Sequence, residues 1–432
     1  MREMKDSGIE WIGEIPKDWE RGCIKNILEV LTDYTANGSF ADLAKNVHYL
    51  DNDGFARLVR LTDLRLDLSN DDGVYVGEKT YNYLAKSSLF GGEILVANVG
   101  AYAGLFCEMP PKEGRFTLGP NMFLLRTNKR MIQHYLFYLG QAKFVKEQLA
   151  QKAISSAQPK LNKTDLKTVF IAIPSIAEQQ QIADYLDTKC SEIDATAEDI
   201  QKEISLLEEY KKSVITEAVT KGLNPDAEMK DSGIEWVGKV PVTWKIMPNK
   251  YIMTKKKVIK EVYDDENIIS LSMNGVIVRD LEAGGKMPKT FDGYQIVYPG
   301  NLLMCLFDYD VTPRCIGLIK DYGVTSPAYS QFVMNNDNYS GYYYYYYLMI
   351  DHAKTLLHLA KNLRHSFTEE QLGAILAPVP TVEEQYQIVN YLDTKCSEID
   401  TLIADKKRQL DTLADYKKSL IYEYVTGKKE VI

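Results

Sequence analysis

The feature that most constrains this chain is an internal duplication. The segment MKDSGIEWIGEIPKDW, residues 4–19, returns as MKDSGIEWVGKVPVTW at residues 229–244. A second block, YLDTKCSEID at residues 185–194, returns without change at residues 391–400. A solenoid carries many units at one fixed period, whereas here only two long units recur. We therefore expect two copies of one framework around two stretches that share little sequence.

Each copy ends in a long stretch that carries helical signals. Residues 175–221 contain neither glycine nor proline, and Gly222 follows them. Ser175 and Thr381 each stand three residues before a glutamate, which is the spacing of a capping box at a helix start. We expect two helices of roughly 45 residues, or about 65–70 Å at ~1.5 Å per residue.

Apolar residues recur along both predicted helices with alternating spacings of four and three. A stripe that repeats every 3.5 residues or so is typical of a coiled-coil seam. The predicted seam comprises Leu186, Ile193, Ile200, Leu207, Leu392, Ile399, Leu413 and Leu420. Lysines interrupt it at positions 211, 406 and 417. We predict an antiparallel coiled coil between the helices; the alternative is that each helix packs only on its own domain.

The stretches between the repeats have the patterns of mixed α/β domains. Short apolar runs bounded by turn residues indicate strands at residues 93–97, 121–125, 301–305 and 331–334. Helical segments are expected at residues 133–151 and 342–363, and we interpret the tyrosine run in the latter as packing rather than as a base-stacking platform.

The predicted fold class is therefore α+β, with two mixed α/β domains separated by two long helices in a pseudo-two-fold arrangement. The predicted segments are a first domain at 1–177, a first central helix at 178–224, a second domain at 225–382 and a second central helix at 383–432.

Composition favours a binding protein over a catalyst. The formal net charge is −9, but residues 21–177 carry 19 Lys+Arg against 15 Asp+Glu, so this stretch permits contact with a polyanion. No phosphate-binding loop, GxGxxG turn, GxSxG elbow or HExxH helix occurs. The six cysteines form no CxxC pair, and we find neither a secretory signal nor a long apolar run. A reduced, cytoplasmic protein without a metal site or membrane span is expected.

The repeated boxes GIEWIGEIP and GIEWVGKVP, with the helix openings IPSIAEQQQIADYLD and VPTVEEQYQIVNYLD, resemble those of the specificity subunit of type I restriction–modification systems. The resemblance implies two target-recognition domains that each read one half of a split double-stranded DNA sequence, at a spacing set by the coiled coil. It implies two methyltransferase subunits and two restriction–translocase subunits as partners. S-adenosylmethionine, and ATP with Mg²⁺, are then expected on those partners, and no cofactor on this chain.

Candidate DNA contacts come from two kinds of segment. We call residues 155–163 and 361–367, which precede the long helices, the pre-helix segments, and residues 98–104 and 308–314 the candidate reading loops. Base edges and phosphates require amide, hydroxyl and cationic side chains. The candidates are Asn98, Gln158, Lys160, Lys163, Arg314, Arg364 and Ser366. The alternative for each is a solvated loop residue, and the alternative for the chain is a duplicated coiled-coil scaffold or adaptor that binds no DNA.

Overall fold

The computed structural model describes residues 2–51, 53–153, 159–282, 288–360 and 365–431. Contacts divide the chain into two compact units, each of which takes part of both long helices. Unit 1 consists of residues 1–200 with 408–432, and unit 2 consists of residues 201–407. The domain boundaries predicted from the sequence treat each long helix as a separate segment. The two units each contain part of both helices, so those boundaries stay a prediction.

The strands of unit 1 are β1 Met4–Asp6, β2 Glu14–Pro16, β3 Glu20–Cys23, β4 Leu28–Asp33, β5 Tyr49–Leu50, β6 Ala56–Val59, β7 Val74–Val76, β8 Ser88–Leu89, β9 Ile94–Ala97, β10 Phe106–Glu108, β11 Phe116–Leu118, β12 Met122–Thr127 and β13 Phe170–Ile173. Its helices are α1 Phe40–Asn46, α2 Leu61–Leu64, α3 Glu78–Tyr83, α4 Gln133–Gln141, α5 Lys143–Lys152 and α6 Lys163–Lys167, with 3-10 helices at Ile24–Ile27, Tyr34–Asn37 and Ala85–Ser87. The first long helix, α7, runs over Ile176–Lys221.

Two sheets form the body of unit 1. An antiparallel sheet has the strand order β10-β9-β12-β4, and a second sheet has the order β5-β7-β6-β11-β8, in which β11 and β6 are parallel. Every residue of β9 is buried, as are the first four of β12, which explains their unbroken apolar sequence. The ladder of β13 with β3 ties the strand before α7 to the strand after the first repeated box.

The strands of unit 2 are β14 Met229–Asp231, β15 Lys239–Pro241, β16 Lys245–Pro248, β17 Met253–Lys256, β18 Ile269–Ser272, β19 Gly275–Val278, β20 Gln295–Val297, β21 Leu302–Met304, β22 Ile316–Leu318, β23 Gly323–Thr325, β24 Ser330–Met334 and β25 Leu376–Val379. Its helices are α8 Asn249–Ile252, α9 Ser340–His352 and α10 Glu369–Ala374, with a 3-10 helix at Thr355–Leu359. The second long helix, α11, runs over Val382–Val425.

Unit 2 repeats part of the architecture of unit 1. Its antiparallel sheet of order β17-β24-β21-β22 corresponds strand for strand to β4-β12-β9-β10, and the ladder of β16 with β25 corresponds to that of β3 with β13. Where unit 1 has the sheet of β5 to β8 and β11, unit 2 has two separate antiparallel pairs, β18 with β19 and β20 with β23. The two units therefore share a framework and differ in what it carries.

Equivalent hydrophobic cores join this framework to the long helices. In unit 1 the core contains side chains of β9, β12 and α4, the first turns of α7 and the last turns of α11. In unit 2 it contains side chains of β21, β24 and α9, the first turns of α11 and the last turns of α7. Five of the six side chains from Tyr342 to Tyr347 are buried in it, so the interpretation of this run as packing is confirmed.

The ends of the long helices follow from local sequence. Thr381 accepts from the Glu384 amide, and the Glu384 carboxylate accepts from the Thr381 amide at 3.1 Å, which completes the predicted capping box. Ser175 likewise caps α7 by accepting from the Glu178 amide, and the Glu178 carboxylate accepts from the Trp19 indole at 2.9 Å. Gly222, just after α7, has a positive φ of 75°, which ends the helix at little steric cost.

Within each unit the start of one long helix lies against the end of the other, so the pairing is antiparallel as predicted. In unit 1, Leu186 shares a core with Leu420, and in unit 2, Leu392 shares one with Val214. The predicted seam residues are buried, except for Leu207 and Leu413, which are half-buried. The helix starts also pack on their own domains, so both proposed modes of packing occur together.

The lysines that interrupt the seam have acidic partners on the facing helix. In unit 1 the Lys417 ammonium lies 2.6 Å from the Asp194 carboxylate. In unit 2 the Lys211 ammonium lies 2.7 Å from the Asp400 carboxylate, and Lys406 is paired with Glu203. Because these ammonium groups stay partly solvated and paired, the seam accommodates them without burying an isolated charge.

Candidate nucleic-acid interface

In unit 1 the first candidate reading loop lies beside the described part of the first pre-helix segment. The loop leaves β9, and the Leu161 amide donates to the Asn98 carbonyl at 2.8 Å. Val99 forms an isolated antiparallel bridge with Lys160. The first candidate reading loop and the first pre-helix segment are more than fifty residues apart in the sequence, and they form one surface.

Unit 2 brings its two candidate segments together at the equivalent place. The Phe367 amide donates to the Leu306 carbonyl at 2.8 Å, just beyond the end of β21. His365 lies 2.8 Å from Asp310 in the second candidate reading loop. Burial raises the pKa of Asp310, but the hydrogen bond from His365, backbone hydrogen bonds and the charge of His365 together outweigh it. The pKa of Asp310 is therefore lowered below its usual value. The His365–Asp310 pair therefore links segment and loop.

Capping boxes fix the ends of both pre-helix segments. Asn162 accepts from the Asp165 amide at the start of α6, and Thr368 accepts from the Gln371 amide at the start of α10. These caps occupy equivalent positions in the duplication, because each lies eight residues before the strand that precedes its long helix. The same kind of hydrogen bond forms both caps. Each cap sets the direction in which its segment approaches the neighbouring loop.

The candidate DNA contacts of unit 1 differ in how exposed their side chains are and in whether they already have a partner. Lys160 is exposed, whereas the Lys163 ammonium lies 3.0 Å from the Asp33 carboxylate. The Asn98 side-chain oxygen is buried, with no hydrogen-bond partner among the residues described. Gln158 lies outside the described residues. Lys160 is therefore the cation of this set that is best placed to meet a phosphate.

In unit 2, Arg314 braces the loop from which it comes. Its guanidinium donates to the Ile316 carbonyl and to the Met273 carbonyl, each at 3.1 Å, and to the Tyr344 hydroxyl. Met273 is at the tip of the hairpin of β18 and β19, so Arg314 joins that tip to the loop. Ser366 is the sequence equivalent of Lys160, and Arg364 lies outside the described residues. All these DNA-contact assignments stay predictions.

Sequence reasoning missed an arginine that meets the first candidate reading loop. The exposed Arg65 guanidinium donates to the Tyr102 hydroxyl at 3.0 Å and lies 4.9 Å from the centre of that ring. Tyr102 is itself 47% exposed. Arg65 follows a short helical turn in a polar stretch, and no local signal indicates that it meets a loop 37 residues away. With Lys160, it gives this surface a second cation.

Comparison with known proteins identifies the chain's relatives. Residues 16–206 match the family model of the type I restriction modification DNA specificity domain. The MjaX specificity subunit of a type I restriction enzyme from Methanocaldococcus jannaschii is 27% identical, over 97% of this chain and 96% of the relative. The MjaVIII specificity subunit from the same organism is 23% identical, over 96% of this chain and 94% of its own length.

Solved structures share the fold. A chain from a structural study of complex assembly and conformational transition of the type I R-M system has a TM-score of 0.70 at 13% identity, covering 96% of this chain and 99% of that one. The HsdS subunit from Thermoanaerobacter tengcongensis has a TM-score of 0.50 at 14% identity, covering 96% and 98%.

Residues 16–206 thus match a DNA specificity domain, and the framework that contains them occurs twice in the chain. Over nearly its whole length the chain is similar to specificity subunits of type I restriction enzymes, the resemblance that its repeated boxes indicated. Across the described residues, no helix combines the length and the apolar character needed to cross a membrane.

Proposed function

We propose that this chain is the non-catalytic, sequence-specific DNA-binding subunit of a type I restriction–modification complex, and that it reads a bipartite double-stranded target. One observation carries the proposal. The framework occurs twice, and a different loop follows the equivalent strands β9 and β21 of its antiparallel sheet. Identical loops would read a palindrome, whereas different loops read two unlike half-sites.

In this proposal each half-site meets one candidate reading loop and its pre-helix segment. Exposed Lys160 and Arg65 supply phosphate contacts in unit 1, which position the domain without specifying bases. Base selection then belongs to the loop tips, where unit 1 has Tyr102 and unit 2 has the hairpin tip braced by Arg314. Differences between these tips support different sequence preferences.

The distance between half-sites is proposed to depend on the length of the paired helices. A four-residue insertion in α7 within residues 195–207, matched by one at residues 401–413 of α11, adds ~6 Å at about 1.5 Å per residue. That length corresponds to roughly two base pairs at ~3.4 Å each. The methylated motif should keep both half-sites and gain a longer spacer. An unchanged spacer in a folded variant would contradict this role of the helices.

The proposed partners are two methyltransferase subunits and two restriction–translocase subunits. The near-identical openings of α7 and α11 support two equivalent docking surfaces for the methyltransferase subunits. S-adenosylmethionine is proposed to bind those subunits, and ATP with Mg²⁺ the translocases, while this chain binds no cofactor. The proposed compartment is the cytoplasm, where the host DNA lies.

Two measurements test the proposal. Sequencing of methylated adenines in the source genome should reveal a split motif that disappears when this gene is deleted. Gel shifts with that duplex should require this chain together with a cognate methyltransferase subunit, and should weaken steeply with salt. A duplicated scaffold that binds no DNA predicts neither result, so an unchanged methylation pattern in the deletion strain would favour that alternative.

A further inference from the structure

Two cysteines face each other at the base of the second candidate reading loop. Met304 pairs with Ile316 in the ladder of β21 and β22, so Cys305 and Cys315 are the next opposed residues. The Cys305 amide donates to the Cys315 carbonyl at 2.8 Å, and both cysteines are free thiols. Opposed residues of this kind have Cα atoms ~5.5 Å apart, within the roughly 4.4–6.8 Å that disulfides span.

A lysine and an aspartate lie beside the cysteine pair. Lys354 places its ammonium 3.5 Å from the Cys315 sulfur, and also donates to the Asp351 carboxylate at 2.7 Å. The side-chain hydrogen bond between the two thiols lowers the pKa of Cys305 and raises the pKa of Cys315. A thiolate, rather than a thiol, is the nucleophile in sulfur oxidation.

Access to the two sulfurs is limited to small molecules. Cys305 and Cys315 are 2% and 4% exposed. They line a cavity of about 30 Å³ together with Tyr309 and Asp351. A space of this size accommodates a water molecule. Hydrogen peroxide is only slightly larger than water, whereas a peptide-sized disulfide is far too large to enter.

We infer that Cys305 and Cys315 form an oxidisable dithiol site whose oxidant is hydrogen peroxide and whose disulfide ties the two ends of the second candidate reading loop together. The Cys305 thiolate attacks one peroxide oxygen and breaks the O–O bond, giving a sulfenic acid and a hydroxide that takes up the Cys305 proton as water. The Cys315 sulfur then attacks the sulfenic sulfur and displaces hydroxide, which leaves as water with the Cys315 proton. Two thiols and one peroxide thus give one disulfide and two waters.

Unit 1 contains a natural control for this site. At the equivalent place of its sheet the Ala97 amide donates to the Leu105 carbonyl at 3.0 Å. The ladder is the same, but neither residue carries sulfur. Oxidation should therefore constrain the second candidate reading loop and leave the first unchanged. The effect on DNA, and only that part of the inference, rests on the proposed function.

The modification is tested on the full chain. After peroxide treatment, unfolding and alkylation, peptide mass spectrometry should find Cys305 joined to Cys315, with four of the six cysteines alkylated. The buried helix residues Cys190 and Cys396 serve as internal controls. In Cys315→Ala no resolving thiol remains, so unfolding in the presence of dimedone after peroxide treatment should label Cys305 as its sulfenic acid. Six alkylated cysteines, or a disulfide to another partner, would overturn the inference.

The consequence for DNA is measured by footprinting the methyltransferase complex before and after oxidation. Protection of one half-site should decrease and return on addition of dithiothreitol, while protection of the other stays constant. The Cys305→Ala variant should show no change with peroxide. If the disulfide forms and both footprints persist, the loop constraint is wrong. If the reduced complex protects no DNA at all, the proposed function fails instead, and the mapped disulfide still stands.

Discussion

Unit 1 and unit 2 hold their shared framework with the same contacts but present different loops on it. The Trp19 indole donates to the Glu178 carboxylate at 2.9 Å, and its equivalent Trp244 donates to Glu384 at 3.2 Å. The part inserted between framework strands is a five-stranded sheet in unit 1 and two strand pairs in unit 2. The repeated contacts thus hold the framework, whereas the inserted parts differ between the two units.

The repeated contacts extend to buried polar groups. The Gln179 side-chain oxygen accepts from the Ile132 amide at 2.8 Å, and Gln385 accepts from the Tyr339 amide at 2.7 Å. Both glutamines are fully buried. Since a buried amide without partners is costly, these contacts fix how α4 and α9 meet the long helices.

The largest expected effect is on the stability of the framework. Trp19 and Trp244 are almost fully buried, so Trp19→Ala and Trp244→Ala should each lower the free energy of unfolding of their own unit by about 3–5 kcal/mol. Denaturant-dependent hydrogen exchange, read peptide by peptide, measures this for each unit. Trp11→Ala, at a half-buried position, is the matched control and should cost less. Equal losses of protection in both units after one substitution would break the comparison.

The next largest effect concerns the salt dependence of DNA binding by the candidate surfaces of unit 1 and unit 2. Lys160 in unit 1 corresponds to Ser366 in unit 2, so Lys160→Ser gives unit 1 the residue of unit 2. Loss of one phosphate contact should reduce the slope of log affinity against log salt by about 1. Titrations of the methyltransferase complex at several salt concentrations measure the slope. Lys429→Ser, which removes an ammonium paired with Glu423, is the control and should leave the slope unchanged.

A smaller effect comes from two equivalent tyrosines. The Tyr342 hydroxyl donates to the Val219 carbonyl at 2.8 Å, whereas its equivalent Tyr135 donates to the Val425 carbonyl at 3.4 Å. Tyr342→Phe should cost about 1 kcal/mol, and Tyr135→Phe less, because the longer bond is weaker. Urea unfolding of both variants gives the difference. A larger cost for Tyr135→Phe would contradict the ranking.

Stability should also respond to pH in unit 1. A hydrogen bond to Glu108 raises the pKa of His134 from 6.5 to about 9 against opposing burial, with a further contribution from Asp187. Because the folded pKa is raised, the stabilisation is complete below pH 6.5 and is lost as the pH rises through about 9. The ring is 34% exposed, so solvent screening should hold the effect below about 1 kcal/mol.

Unfolding of the wild type and of His134→Gln between pH 6 and pH 10, roughly the interval over which this group titrates, isolates the contribution of His134. The equivalent residue in unit 2 is Gly341, so unit 2 serves as the reference. An identical pH profile for the variant and the wild type would remove His134 as the cause.

The smallest effect concerns the lysines in the seam. Double-mutant cycles on Lys417 with Asp194 and on Lys211 with Asp400 should each give a coupling of about 0.2–1 kcal/mol that decreases with salt. The two couplings should agree, because the pairs have matching distances of 2.6 and 2.7 Å. A coupling that persists at high salt in one unit only would show that the two halves of the seam differ.

Much of the framework could be read from local signals. Capping spacings and the absence of helix breakers predicted central helices at 178–224 and 383–432, which begin two residues and one residue after the observed starts at Ile176 and Val382. The strands predicted at residues 93–97 and 121–125 are observed at Ile94–Ala97 and Met122–Thr127, because burial of consecutive residues leaves an unbroken apolar run. Such features depend on neighbours in the chain, and the duplication repeated each of them.

Contacts between distant segments required the folded chain. The partners of the seam lysines, the meeting of Arg65 with Tyr102 and the opposition of Cys305 and Cys315 depend on ladder register and helix pairing. Local periodicity carries no information about which distant segment becomes a neighbour. Duplication, helix length and seam thus came from sequence, whereas tertiary packing alone decided which loops, charges and thiols come together.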